Sequence, residues 1–244
     1  AEHEGQWEQV AHSYDSLLRS NQPAITQSSA GAVADRLRQE QGLVTALQQS
    51  GFAHVTNFYL KGFSARFPNE FHHLSDAQFE HYWRSCTWTL DPDQWQLLDS
   101  GQTGFHKALH AGLRALNEVD SNAMRNALRT ARLGLAADLQ STSLESTKYV
   151  HPVLVKLHML EELENAWCLF QEESLADSLE SSQLTALDIS SDEETARWQR
   201  QLTFLSSNCF EEIEPLLALR TTILSIASCT VQLEAHLCSI SRLA

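Results

Sequence analysis

The chain has 244 residues, 43% of them hydrophobic, with 17 basic against 31 acidic side chains and a formal net charge of −14. That is enough chain for one large or two small domains with a core, and nine glycines and five prolines favour long helices over strands and turns. The acidic balance and the lack of any block of five or more basic residues argue against direct nucleic-acid binding, which needs lysines and arginines to neutralise phosphates.

No apolar run approaches the roughly 18 residues of a membrane span, so no membrane association is expected. The opening AEHEGQWEQ is acidic and polar, unlike a signal peptide. The chain opens and stops (at SISRLA) in the middle of its patterns, and the expectation is a piece of something longer. Cys86, Cys168, Cys209, Cys229 and Cys238 are odd in number and contain no C-x-x-C pair, so they read as reduced intracellular thiols packed as small hydrophobes.

The first predicted helix is GQWEQVAHSYDSLL. Its Trp7, Val10, Ala11 and Tyr14 match the W-x2-L-G-x2-Y spacing that opens a tetratricopeptide-type repeat, with Val for Leu and Ala for Gly. In such a repeat the small residue lets a second helix approach while the aromatics fill the gaps. NQPAITQSSAG breaks this helix. Ala32 to Gln49 is the next, with Val33, Leu37, Val44 and Leu47 inward and a stop at Ser50-Gly51. Phe52 to Leu60 is expected to form a further helix ending at Gly62, followed by a loop ARFPNEFHH.

Ser75, with Gln78 three residues on, predicts a capping box opening a helix that carries Phe79, Tyr82, Trp83 and Cys86. Asp91-Pro92-Asp93 predicts a turn, and the stretch to Thr103 is irregular. Phe105, Ala108, Leu109, Gly112, Leu113 and Leu116 form an apolar stripe. Asp120-Ser121 caps its partner, with Met124, Leu128, Ala131, Leu135 and Leu139. Small residues at Ala108, Gly112, Ala127 and Ala131 suit a close antiparallel seam.

Tyr149 to Phe170 carries one long stripe of Val150, Val153, Leu154, Leu157, Leu160, Leu163, Trp167 and Phe170, with Pro152 near its start. Lys156, Glu161, Glu162 and Glu164 lie opposite. Residues 172–194 are rich in Ser, Asp and Glu and predict an acidic flexible loop. A short helix is expected from Arg197 to Leu205. Phe210 to Ala244 is apolar on more than one face and is expected to be buried against neighbouring solenoid. No period-two alternation occurs. The expectation is an all-α fold, an α-solenoid of antiparallel helix pairs of the TPR/HEAT kind, repeating irregularly every 30 to 45 residues or so.

Chemistry is harder to find. His106 and His110 stand four apart on one face, a zinc-compatible spacing, but Lys107 occupies the place of the Glu in H-E-x-x-H. They read as surface or packing histidines. His72 and His73 are adjacent in a loop and are not expected to face together. Glu161, Glu162 and Glu164 read as a solvated face rather than a paired-acid site. The Trp and Tyr residues sit at helical spacing and read as core packing. No nucleophile elbow, Walker loop, dinucleotide fingerprint or kinase motif is present. The reading is therefore no catalytic, cofactor-binding or metal residues. Ser182, in a Ser-Gln step, and Ser190 and Ser191, before Asp192, Glu193 and Glu194, are candidate phosphorylation sites whose modification would add charge to an acidic loop.

Several stretches, in order, resemble one family: VTALQQSGFAHVTNFYLKGF (Val44 to Phe63), YWRSCTWTLD (Tyr82 to Asp91) and FHKALHAGLRAL (Phe105 to Leu116), then SLESTKYVHPVLVKLHMLEELEN (Ser143 to Asn165), RWQRQL (Arg197 to Leu202) and EPLLALRTTIL (Glu214 to Leu224). Together they resemble the FAT domain of the phosphatidylinositol-3-kinase-related serine/threonine kinases, in the ATM-like branch. The resemblance runs over roughly residues 7 to 244. It is weakest at 172–194 and after 225, where the sequence looks shortened relative to the family.

The resemblance implies that residues 1–244 are a partial FAT domain without a kinase domain, a non-catalytic regulatory scaffold packed around the kinase domain and the remaining solenoid of a parent chain. It implies a homodimeric parent, nuclear, dependent on ATP and Mg, acting in DNA double-strand-break signalling. It places none of the family's ATP- or metal-binding residues on this sequence. Two rival readings stand beside it. One is a free-standing TPR-like adaptor binding peptides or partner helices; the other is a small helical enzyme using His106 and His110.

Overall fold

The structure, a computed structural model, describes residues 6–21, 30–89, 104–141, 147–176 and 213–227. All regular elements among these residues are helical, and the fold is all-α. In order they are α1 (Trp7–Asn21), α2 (Ala30–Gln49), α3 (Ala53–Arg66), a 3-10 turn (Phe71–His73), α4 (Ser75–Arg84), α5 (Phe105–Glu118), α6 (Ser121–Ser141), α7 (Thr147–Ala176) and α8 (residues 213–227). The chain divides into two compact units, Ala1–Lys107 and Ala108–Ala244.

In the first unit α1 lies against α2. The Tyr14 ring sits on Gly42 so closely that a Cβ there would come within 2.5 Å of it. The small residue of the opening motif is thus mirrored by a glycine on the facing helix. α2 ends at Gly51, whose φ of +76° a glycine adopts without strain. The amide of Phe52 closes back on Leu47 O and that of Gly51 on Gln48 O, the paired bonds of a Schellman stop. The expected stop at Ser50-Gly51 is correct.

α2 then meets two successive elements. The Tyr59 hydroxyl of α3 donates to the Glu40 carboxylate. Arg36 pairs with Glu70, Gln41 donates to the His73 carbonyl at 3.3 Å, and Gln48 donates to Ala77 O at 3.4 Å and Glu80 Oε2 at 3.1 Å. These partners are 34, 32, 29 and 32 residues apart and advance in the same direction along both segments. So α2 runs in the same direction as residues 70–80, the 3-10 turn and the start of α4, with partners about thirty residues apart as in a helix-pair repeat. The core between them is Val44, Leu60, Phe63, Phe71, Leu74, Phe79 and Tyr82.

Three local expectations for this unit need correction. α3 does not end at Gly62 but runs to Arg66, because one more turn buries Phe63 (4% exposed) and seats Phe67 against the core. That gain exceeds the roughly 1 kcal/mol cost of an interior glycine. ARFPNEFHH is therefore part helix and part 3-10 turn. The capping box at Ser75 does not form. Ser75 is already helical, its hydroxyl donates backwards to His72 O at 2.8 Å, and Gln78 reaches across to Asn57 Oδ1 at 3.3 Å.

In the second unit Gln171 meets Ser121 at 3.3 Å and Arg132 pairs with Glu164, so α6 and α7 are antiparallel. The Asp120 cap is as expected, its Oδ1 accepting from the amides of Asn122 at 2.9 Å and Ala123 at 3.1 Å. The small-residue seam also holds. Ala108, Ala127 and Ala131 are buried, and a Cβ on Gly112 would lie 2.8 Å from a Leu163 methyl.

α7 buries a face rotated from the expected stripe. Val153, Met159, Leu160, Leu163, Ala166 and Trp167 are inside, whereas Leu154 is 53% exposed. The helix begins two residues earlier than expected, at Thr147, which places Pro152 at its sixth position. In α8 Leu216, Leu219, Ile223 and Ile226 are buried, whereas Leu224 is 55% exposed.

The irregular stretch after Asp91, the helix expected at Arg197 to Leu205, and residues 177–194 of the acidic loop lie outside the described residues. So do Cys209, Cys229 and Cys238, whereas Cys86 and Cys168 are free thiols.

Candidate functional site

His106 starts from a residue pattern that looked like half a zinc pair, and the structure gives it structural work. Trp83 Nε1 donates to its Nδ1 at 3.2 Å, the two rings stack 6.2 Å apart at 14°, and its Nε2 lies 3.6 Å from Glu80 Oε2. His110 is fully buried in the core. Among the described residues no three His, Cys, Asp or Glu side chains gather as a metal would require. His72 and His73, not expected to face each other, do so: the 3-10 turn brings their rings to 3.9 Å. Burial and then the neighbouring His72 lower the His73 pKa. Ser182, Ser190 and Ser191 lie outside the described residues.

The most constrained polar cluster lies in the second unit, where the sequence reading saw only solvated acid. Glu161 and Glu164 are indeed exposed, with side chains 55% and 43% accessible. Glu162 is not. Its side chain is 2% accessible and faces Arg220 of α8, itself 5% accessible and 58 residues away. The guanidinium grips the carboxylate with two nitrogens: Nε lies 3.1 and 3.0 Å from the two oxygens, and Nη2 also reaches Oε1. His158, one turn earlier on α7, places Nε2 3.3 Å from Glu162 Oε1 and Nδ1 3.3 Å from Glu161 Oε2.

Burial pushes the Glu162 carboxyl up, but His158 and Arg220 outweigh it and hold the pKa below the usual carboxylate value. The bond to Glu162 raises that of His158 against its own burial. The cluster pins α7 to α8 and fixes their register.

Two signals in the sequence pointed to it. Glu162 falls three residues after Met159 and four before Ala166, on the buried face, and Arg220 interrupts an apolar run; such charges are buried only when paired.

A second feature is a shallow groove on the same unit, about 460 Å³, between the outer face of α6 and the edge of α7. Arg125, Arg129 and Arg132 line it at intervals of four and three residues, over Leu128 and Leu133, with Glu164 on the far side. In the first unit, Val55 and Phe58 of α3 and Phe52 just before it face solvent, Phe58 being 81% exposed.

A sequence model of the FAT domain matches residues 75–244. The chain is 28% identical over 227 residues to the serine-protein kinase ATM of Sus scrofa, covering 92% of this chain and 6% of that protein. It is also 28% identical over 201 residues to the serine/threonine-protein kinase ATM of Arabidopsis thaliana, covering 69% of this chain and 5% of that protein. The chain thus spans about a twentieth of the length of these relatives.

Proposed function

The chain belongs to the FAT domain family, and from that premise we propose that it is a regulatory helical scaffold of an ATM-like serine/threonine kinase, packing around the kinase domain and helping the parent to dimerise. The parent would use ATP and Mg, act in the nucleus and signal DNA double-strand breaks; this segment would contribute neither catalytic nor cofactor residues. The observation that carries the reading is the FAT match over residues 75–244 together with relatives that are ATM kinases.

The physical role is mechanical. Helix pairs with interdigitating seams are stiff within a pair and shear between pairs. The buried Glu162–Arg220 pair resists such shear between α7 and α8. A scaffold of this kind can therefore hold kinase lobes at a set spacing and transmit a displacement. The acidic surface and the lack, among the described residues, of a helix long and apolar enough to cross a membrane fit a role among protein partners.

The decisive test is to sequence the transcript downstream of Ala244. In-frame continuation into a kinase domain with its catalytic Asp, Asn and metal-binding Asp is the expected result. An immediate stop codon, together with a monodisperse monomer that retains defined peptide partners, would instead establish the TPR-like adaptor, for which the packing of Tyr14 on Gly42 is the supporting contact.

A further inference from the structure

The groove on α6 runs against the charge of the rest of the molecule. The chain has nearly two acidic residues for each basic one, yet this cleft is lined by three guanidiniums and a single carboxylate. Positions 125, 129 and 132 recur at helical spacing, so the three arginines stand on one face, with axial steps of about 6 and 4.5 Å. All three are exposed.

Their charges are mostly uncompensated. Arg132 pairs with Glu164, both near half-exposed. Among the described residues Arg125 donates to neutral acceptors of its own helix, Ser121 O at 3.2 Å and Asn122 Oδ1 at 2.7 Å. Arg129 makes no hydrogen bond or ion pair among the described residues, so among these residues two of the three guanidiniums have no carboxylate partner. Leu128 forms its floor and Leu133, 63% exposed, its apolar rim.

We propose that this groove is a binding site for an acidic peptide segment of a partner protein. Carboxylates about 5 to 7 Å apart, as on successive turns of a helix or at alternate positions of an extended chain, match the arginine steps. Guanidiniums favour planar carboxylates because they grip them with two parallel bonds. An aliphatic residue flanking the acids covers Leu133. Nucleic acid is disfavoured, because a chain of net charge −14 repels a polyanion over any contact longer than the groove. The proposal rests on this groove and not on the family reading.

The test uses the full chain and a fluorescein-labelled synthetic peptide of alternating Glu and Leu, followed by fluorescence anisotropy. Arg129→Glu should weaken binding about tenfold, a change typical of reversing one interfacial charge. Affinity should also fall with added salt. Arg38→Glu, an exposed arginine on α2, should leave binding unchanged. Thermal melting of each variant separates lost binding from lost folding.

Four results would overturn the proposal. The first is Arg129→Glu binding like the parent while melting normally. The second is equal weakening by Arg38→Glu, which marks general charge attraction. The third is a single-stranded oligonucleotide of matched charge binding as tightly. The fourth is binding that appears only after residues 177–194 are deleted, which assigns the groove to the chain's own acidic stretch.

Discussion

Arg220 and Glu162 are opposite charges with side-chain exposures of 5% and 2%. Removing Arg220 leaves Glu162 buried with His158 alone facing its carboxylate, and removing Glu162 leaves the buried guanidinium without its carboxylate. Arg220→Met should therefore destabilise the chain by about 3–5 kcal/mol, whereas Arg220→Met with Glu162→Leu should recover most of that loss. Urea unfolding of the three proteins measures it; equal losses in the single and double variants would show that the pair is not the cause.

The same cluster sets a pH dependence. The folded His158 pKa is raised above 6.5, so its stabilisation is complete below 6.5 and is lost as pH rises through the raised value. The folded Glu162 pKa is lowered below 4.5, so its contribution is present above 4.5 and is lost as pH falls through the lowered value. His73 and His81, with lowered values, act in the opposite sense to His158, so the informative quantity is a difference. The stability of the parent minus that of His158→Gln should be greatest below pH 6.5 and shrink above it. A difference flat with pH would exclude the coupling.

At the scale of elements, the helix seams depend on where glycines meet side chains. In α2 a Cβ on Gly42 would collide with the Tyr14 ring, whereas in α3 one on Gly62 meets nothing within 4 Å. Gly62→Ala should stabilise by up to about 1 kcal/mol, the helix-propensity gain. Gly42→Ala receives the same gain but must push the α1 ring aside at about 1–3 kcal/mol, and should be net destabilising. Adding Tyr14→Ala should remove the overpacking part of that loss. Melting temperatures of these three variants beside Tyr14→Ala alone read this directly, and a stabilised Gly42→Ala would mean that α1 and α2 are less closely packed than described. The Tyr14 spacing was visible in the sequence, but which residue it would press against was not, because Gly42 is 28 positions away and nothing local marks it.

At the scale of the whole molecule, burial is incomplete in a way that matters for handling the chain alone. Phe52, at the N-cap of α3, and Val55 and Phe58 within it are exposed apolar side chains at steps of three, 44%, 53% and 81% accessible. Such a patch promotes association. The isolated chain should self-associate in a concentration-dependent manner. Phe58→Ser should reduce this with little change in melting temperature, because a side chain 81% exposed contributes little to the fold. Light scattering beside thermal melting distinguishes the two effects.

The all-α class, the order of the helices, the Gly51 stop and the Asp120 cap were determined by the sequence alone. Each follows from periodicity or from bonds within a few residues, and these act whatever the rest of the chain does. The end of α3, the rotation of the buried face of α7, and the burial of Glu162 were decided only by tertiary structure. Those features depend on partners tens of residues away, where Phe63 finds a core and Arg220 finds a carboxylate. A helix with two plausible apolar faces buries the one its neighbours can cover.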